Sequence, residues 1–427
     1  MSSKDWTERS LAVFPDGSLG EYGLAPDDAL VLSHGNGAHV FDTAGRQLLD
    51  FTMGWGSVML GHAHPAVVEA VTSQVALGSN FSYVTAPAVT LAETIQHALP
   101  CAERVRFCAS GTEATMYGVR FARAATGRSK ILKFEGAYHG ANEFGAVSLF
   151  PEAPKPFPAP TPTSAGIPAG VLADILVAPF NDLDETARIV RAHAADLAAI
   201  IVEPLHRCTV PRPGFLVGLR ELADEVGAKL VFDETVTGFR LSYGGAQSYY
   251  GVTPDLCALG KGLGGGYPVG AIAGRSEILD LCAESRIGKP GYVWYAASLG
   301  GNPITSVASL ATLAEMRKPD AYDRFFASGE RLREGLRKVT RDLGIAAQIL
   351  GDGPLCSIAF TDREVVDYRS GMNADGAMKR SFLLGLLRAG VFLNPMSTKL
   401  YISLAHTDDI IDEMLEISRS VLEALRA

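Results

Sequence analysis

Cysteine, tryptophan and positive charge are scarce in this chain, and each scarcity narrows its chemistry. Six cysteines (Cys101, Cys108, Cys208, Cys257, Cys282 and Cys356) are scattered through 427 residues with no C-x-x-C pair. That pattern argues against a structural zinc site and for a reducing compartment. Nine histidines show no H-E-x-x-H spacing, so no metal is expected. Lys and Arg total 38 against 47 Asp and Glu, a net charge of −9 with no basic run, which leaves no nucleic-acid face. No uninterrupted apolar stretch is long enough to span a bilayer. The segment MSSKDWTERS has no apolar core of the kind a signal peptide needs, so the expected location is the cytoplasm.

What is present is ordinary globular composition, 47% hydrophobic and 20% charged, over a length that suits two or three domains. The most informative stretch is PDLCALGKGLGGGYPVG at 254–270. Leu256–Leu259 reads as a buried strand, because parallel strands covered on both faces need no polar alternation. Lys261 follows at its carboxyl end, where α/β sheets bind ligands. The flanking glycines let another group approach the backbone. A partly buried lysine has a lowered pKa, and its neutral amine condenses with carbonyls. The plainer alternative is a surface lysine on a glycine-rich loop. Gly260, Gly262 and Gly265 match G-x-G-x-x-G, but Tyr267-Pro268 breaks the helix that a dinucleotide fingerprint must open.

Other strand ends repeat the theme. Ala38–Phe41 and Gln47–Phe51 read as two strands joined by a turn. Trp55 between Gly54 and Gly56 is a candidate wall for a substrate pocket, the alternative being a core tryptophan in a tight turn. Arg104–Ala109 reads as a strand ending in Ser110-Gly111-Thr112, with a helix from Glu113 to about Ala125. Hydroxyls and a glycine at such a junction make an anion site, because the first N–H groups of the helix are unpaired. A simple N-cap with Glu113 in the first turn is the alternative. Lys130–Phe134 leads to Tyr138, a flat side chain suited to stacking, and to His139. Phe150–Pro168 holds seven prolines and reads as an extended loop, either a lid or a linker. Ala198–Val202 ends in Glu203-Pro204, and Lys229–Phe232 ends in Asp233.

Strand–helix alternation from about 61 to 310 predicts a doubly wound α/β domain. From about 318 the pattern becomes α+β. The expected organisation is residues 1–60 as an N-terminal segment packing with the small domain, 61–317 as the large, mainly parallel sheet domain, and 318–427 as the small α+β domain. Together, an anion site, a stacking aromatic, a strand-end carboxylate and a strand-end lysine match the needs of one cofactor, pyridoxal 5′-phosphate (PLP).

These residues carry a resemblance. ASGTEATM at 109–116, FEGAYHG at 134–140, VEP at 202–204, FDETVTGFR at 232–240, PDLCALGKGLGGGYPVGA at 254–271 and GGNP at 300–303 occur in order. The chain resembles the class III aminotransferases of fold-type I PLP enzymes, most of all the branch containing glutamate-1-semialdehyde aminomutase. The resemblance implies that Lys261 carries PLP as a Schiff base and that Asp233 pairs with the pyridine nitrogen. It further implies that Ser110, Gly111 and Thr112 hold the phosphate, and that Tyr138 stacks on the ring with His139 beside it. Glu203 joins this cofactor-binding set. Ser298, where a threonine is usual, is expected to reach the phosphate across a homodimer interface. The implied partners are a small-molecule amino donor, a carbonyl acceptor and a second copy of the chain.

Two departures bear on the reaction. Gly23 stands where the aminomutase has an arginine for the substrate carboxylate. Pro395–Lys399 (PMSTK) lacks the glutamate of the matching aminomutase segment. These favour an intermolecular aminotransferase acting on an amine, a β-amino acid or a bulky amino acid, with Lys399 or an arginine elsewhere still available for a carboxylate. The alternatives are an isomerase, either the aminomutase or an amino-acid epimerase, and a non-enzymatic binding protein, against which the retention of Lys261 and Asp233 speaks.

Overall fold

The computed structural model describes residues 3–20, 22–397 and 399–426. They form two compact units. The larger comprises Ala66–Arg317 together with Val366–Arg369; the smaller comprises the described residues up to Pro65, Lys318–Val365 and those from Ser370 onward. Among the described residues no helix is long and apolar enough to cross a membrane.

The smaller unit opens with helix α1 (Ser3–Val13) and strands β1 (Leu32–Asn36), β2 (His39–Asp42) and β3 (Gln47–Asp50). Sequence reading anticipated the second and third strands but not β1 or α1. β1 is mostly exposed, so it lacks the apolar signal of a covered strand.

The larger unit is built on seven strands: β4 (Arg104–Cys108), β5 (Lys130–Phe134), β6 (Ile175–Ala178), β7 (Leu197–Val202), β8 (Lys229–Asp233), β9 (Leu256–Leu259) and β10 (Gly270–Gly274). Their order across the sheet is β4-β10-β9-β8-β7-β5-β6. All run parallel except β10, which is antiparallel to both neighbours. β6, β7, β9 and β10 are buried at every residue, which explains their unbroken apolar runs. This is the fold-type I α/β architecture. The carboxyl ends of β4, β5, β7, β8 and β9 lie along one edge, and each candidate strand-end residue follows one of them.

Helices cover the sheet. Among them are α2 (Ala86–Ala98), α3 (Gly111–Thr126), α4 (Leu183–Ala192), α5 (Phe215–Val226) and α6 (Pro303–Met316). α3 presses its buried stripe of Ala114, Tyr117, Gly118, Phe121 and Ala122 onto the strands. Gly118 permits this approach, since a Cβ there would sit 3.3 Å from Ile272 Cδ1 and 3.4 Å from Val231 Cγ1. Residues 150–168 contain no helix or strand, yet they are tied down. Thr163 N–H donates to Ala146 O (3.1 Å), Val177 N–H donates to Pro158 O (3.0 Å) and the Arg369 guanidinium donates to Lys155 O (2.6 Å). The segment is an anchored crossing rather than a free linker.

Val366–Arg369 groups with the large unit because of specific bonds. Arg369 grips buried Glu135 with two hydrogen bonds of 2.7 and 3.0 Å. Asn181 Nδ2 donates to Val366 O (3.0 Å), and Tyr368 Oη donates to Pro151 O (3.3 Å).

The smaller unit continues with α7 (Ala321–Asp342), β11 (Gln348–Leu350), β12 (Leu355–Ala359), α8 (Gly376–Arg388), β13 (Val391–Phe392), β14 (Leu400–Tyr401) and α9 (Asp408–Arg426). β13 runs parallel to β3, completing a four-stranded sheet, while β11, β12 and β14 form a second one. Buried Phe325, Leu332 and Leu336 of α7 and Ile411, Met414 and Leu422 of α9 supply the core beneath the helices.

Candidate active site

Asp233 ends β8 with only 5% of its surface exposed. Its Oδ2 lies 2.8 Å from His139 Nδ1, and its Oδ1 accepts the Thr235 N–H at 3.1 Å. A carboxylate opposite Nδ1 fixes the ring proton on that nitrogen. His139 is fully buried, and its Nε2 is buried with no hydrogen-bond partner among the described residues. The imidazole's one hydrogen bond among the described residues thus goes to orienting Asp233. On the other side of the strand end, Glu234 is fully buried and accepts from Ala246 N–H (2.5 Å) and Gln247 Nε2 (2.9 Å). Burial pushes its carboxyl pKa up.

Lys261 opens a short 3₁₀ turn, Lys261–Gly264, directly after β9. It is half-buried and holds φ +41°, a strained value for a side-chain-bearing residue. The turns around it pack backbone against backbone. A Cβ at Gly111 would lie 2.5 Å from Thr235 Cγ2, and one at Gly260 would lie 3.2 Å from the same methyl and 3.3 Å from Gly111. Thr235 is therefore the post that joins the turns after β4, β8 and β9. Sequence reading did not single it out, because its role lies in contacts made across three loops and no spacing reports them.

Ser110 does cap α3: its Oγ accepts the Glu113 N–H at 3.2 Å, and Glu113 Oε2 accepts the Ala109 N–H at 2.6 Å. The N-cap reading and the anion reading coexist, since the capping hydroxyl keeps its own proton to donate. Thr112 Oγ1 accepts the Ala141 N–H at 3.2 Å. A Cβ at Gly140 would meet Thr112 Cα at 2.6 Å, so the loop after β5 lies directly on the first turn of α3.

Tyr138 is 42% exposed. Its backbone N–H donates to Glu203 Oε1 at 2.8 Å, so Glu203 positions the aromatic residue. Under this loop lies Lys133, fully buried, whose Nζ donates to Ala137 O (3.1 Å), Phe144 O (3.3 Å), Gly145 O (3.3 Å) and Val147 O (2.5 Å). Burial pulls its pKa down to about 7, opposed by the Glu203 and Asp233 charges and assisted by Arg207. Four acceptors and no donor around Nζ suit the ammonium form.

Two further expected residues lie on other elements. Ser298 is exposed on the loop before α6, and its carbonyl accepts from Asn80 Nδ2 at 3.2 Å. Its hydroxyl bonds to none of the strand-end residues among the described residues. Trp55 belongs to the smaller unit. It sits in a tight turn with φ +58°, 37% exposed, its ring 5.7 Å from that of Tyr22, so it is not a core tryptophan.

The donor set suits PLP. The edge offers a lysine, a buried and oriented carboxylate, an open aromatic face and a helix N-terminus whose turn admits no Cβ at Gly111. Fold and site together define a PLP-dependent enzyme of fold type I. The aminotransferase class-III family profile matches residues 24–422, and the chain belongs to that family. It is 38% identical to a glutamate-1-semialdehyde 2,1-aminomutase of Desulfitobacterium hafniense, over 99% of this chain and 98% of that protein. In structure it is similar to an ω-transaminase from Sphaerobacter thermophilus, with a TM-score of 0.93 and 34% identity, covering 100% of this chain and 98% of that one. A transaminase solved with PLP bound follows, with a TM-score of 0.88 and 29% identity over the full length of both chains. The likeness to aminomutases favours the isomerase alternative over the transferase expectation.

Proposed function

We propose that the chain is a PLP-dependent aminotransferase that moves an amino group between separate donor and acceptor molecules. The observation that carries this is at Gly23. The aminomutase-like arginine expected there is absent, and its space is taken. Gly23 holds φ +55°, a Cβ on it would lie 3.1 Å from Met396 Sδ, and its carbonyl is bound by the Arg380 guanidinium. A side chain at this position would be strained and crowded.

Bound at the strand edge, PLP supplies an aldehyde for the Schiff base and a ring that draws electrons from the amine-bearing carbon. In this reading Lys261 would hold the aldehyde and its amine would serve as the base at the amine-bearing carbon. Asp233 would pair with the ring nitrogen, and His139 holds Asp233 in place. Ser110, Gly111 and Thr112 would hold the phosphate at the start of α3. Tyr138 would stack on the ring, with Glu203 fixing its backbone. Ser298 donates from the second copy of a homodimer, and Trp55 lines the substrate side. Sedimentation should give twice the 45.3 kDa chain mass; a fully active monomer would remove the Ser298 role.

A second reading, the 2,1-aminomutase, is favoured by the 38% identity to proteins of that name. One experiment separates the two. The visible spectrum of the holoenzyme is followed with a panel of amines and amino acids and no acceptor, beside a Lys261→Ala control. Bleaching to the cofactor's amino form with release of one carbonyl product supports the aminotransferase. Conversion of glutamate 1-semialdehyde into the isomer with its amino group moved from C2 to C1, with no donor bleaching, supports the mutase. Lys261→Ala should lose at least ~10³-fold in turnover.

A further inference from the structure

One side chain on the loop after β5 belongs to two walls of the strand edge at once. Asn142 is half-buried there, a few positions beyond Tyr138 and His139. Its Nδ2 donates to His139 O at 3.2 Å and reaches Thr112 O and Thr115 Oγ1, each at 3.4 Å. Its Oδ1 accepts the Gly145 N–H at 2.8 Å. These partners fix which way the amide is turned. Both carbonyls only accept and the Gly145 N–H only donates, so exchanging Oδ1 and Nδ2 would set like against like at all three.

The surrounding contacts show what this amide holds together. The Thr115 hydroxyl lies 2.6 Å from His139 O and 3.0 Å from Thr112 O, so the hydroxyl, both carbonyls and the Asn142 amide form one small network. At one end of it is the first turn of α3, which receives the phosphate in the reading above. At the other is the backbone that carries Tyr138 and His139. The loop also closes on itself, with Ala146 N–H donating to Asn142 O at 3.1 Å and no room for a Cβ at Gly145 beside Gly140 O. Such bonds shape the loop but do not attach it to the helix. Attachment falls to the Thr115 hydroxyl, to the Ala141 N–H on Thr112 Oγ1 (3.2 Å) and to the Asn142 amide. Of these, the amide alone reaches the helix turn and both ends of the loop, His139 and Gly145.

We propose that Asn142 is a positioning residue for the ring of the cofactor. It locks the loop that presents Tyr138 and His139 onto the turn that receives the phosphate, and it touches neither ring nor phosphate itself. This rests on the placement of the phosphate at α3 and of the ring against Tyr138, and it holds whether the reaction is a transfer or an isomerisation. A loop fixed in advance needs no ordering when the cofactor arrives, so affinity for the ring is set at a distance from the ring. Asparagine suits the task because it offers two donor hydrogens and an acceptor within one short reach. Aspartate would keep the bond to Gly145 and turn an acceptor onto two carbonyls.

The test titrates the full chain, freed of cofactor, with PLP and with 5-deoxypyridoxal, which keeps the ring and the aldehyde but has no phosphate. Binding is read from visible absorbance for wild type, Asn142→Ala, Asn142→Asp and Tyr138→Ala. Asn142→Ala should weaken both ligands by the same factor, about tenfold, and Asn142→Asp should weaken the phosphate-free ligand as much. A loss confined to PLP would mean that Asn142 serves the phosphate alone. Wild-type affinity of Asn142→Asp for the phosphate-free ligand would mean that closing the loop at Gly145 is its whole task. Unchanged affinities beside a lowered denaturant midpoint would mean that it only stabilises the fold. Each of these three results overturns the proposal. If Tyr138→Ala binds the phosphate-free ligand like wild type, it is the placement of the ring that has failed. In that case, or if this ligand leaves even the wild type uncoloured, Asn142 is judged by hydrogen exchange of the PLP-loaded enzyme. Amide exchange over residues 138–141 that is at least about fivefold faster in Asn142→Asp than in wild type supports the lock, and equal exchange overturns it.

Discussion

His139 shows how much a single side chain can depend on a neighbour far away in sequence. Its Nδ1 meets Asp233 across 94 positions, and its Nε2 is buried without a partner among the described residues. As an orienting group, it should be replaceable at a measurable but moderate loss. His139→Phe is expected to keep the fold and reduce kcat by about 10–100-fold, as loss of an outer-shell partner does elsewhere. It should also shift the visible absorption of the holoenzyme, which a purely structural role would leave in place. An unchanged spectrum and rate would remove His139 from the site. Lys261 and Asp233 were legible in sequence because a reactive residue type stood at the end of an apolar run. His139 was legible only as the neighbour of Tyr138. Thr235 was not legible, since a methyl wedged between Gly111 and Gly260 leaves no trace in spacing.

At the scale of elements, the alternation of buried runs and amphipathic stretches gave the large sheet nearly strand for strand. What it lacked was direction: β10 is as apolar as its parallel neighbours, so its antiparallel course could not be read from burial. β6 and α4 were also passed over; a run as short as Ile175–Ala178 is weak against its surroundings. The assignment of Val366–Arg369 to the large unit is likewise tertiary, made by Arg369 on Glu135. The carboxylate of that pair is buried and its guanidinium about one-third exposed. Removing the cation leaves a buried charge unpaired, which typically costs about 3–5 kcal/mol, and here should cost somewhat less because the cation is partly exposed. Arg369→Ala is therefore expected to lower stability by about 2–3 kcal/mol and to speed amide exchange across residues 151–163. Wild-type exchange in that segment would show that the crossing is held by its other bonds.

For the molecule as a whole, acid sensitivity should arise in the smaller unit. His406 is buried, with Nδ1 accepting the Ser403 N–H (3.0 Å) and Nε2 donating to Asp50 O (3.1 Å). Burial lowers its pKa from 6.5 to about 4. Between those values the unfolded chain binds more protons than the folded one, so stability rises with pH through this window and is lost on acidification. At 1.36 kcal/mol per unit the ceiling is ~3 kcal/mol. As the pH is lowered from 7 to 4, denaturant midpoints should fall steeply for wild type and less so for His406→Gln. Parallel curves would place the titrating group elsewhere.

Lys133 has a consequence for the whole site. Four carbonyl oxygens closing around one ammonium resemble the inner sphere of a captured monovalent cation, with the difference that this cation is tethered to β5 and cannot be exchanged. The loop that presents Tyr138 and His139 is folded around a built-in ion. Its geometry is thereby held by a donor that the chain itself supplies.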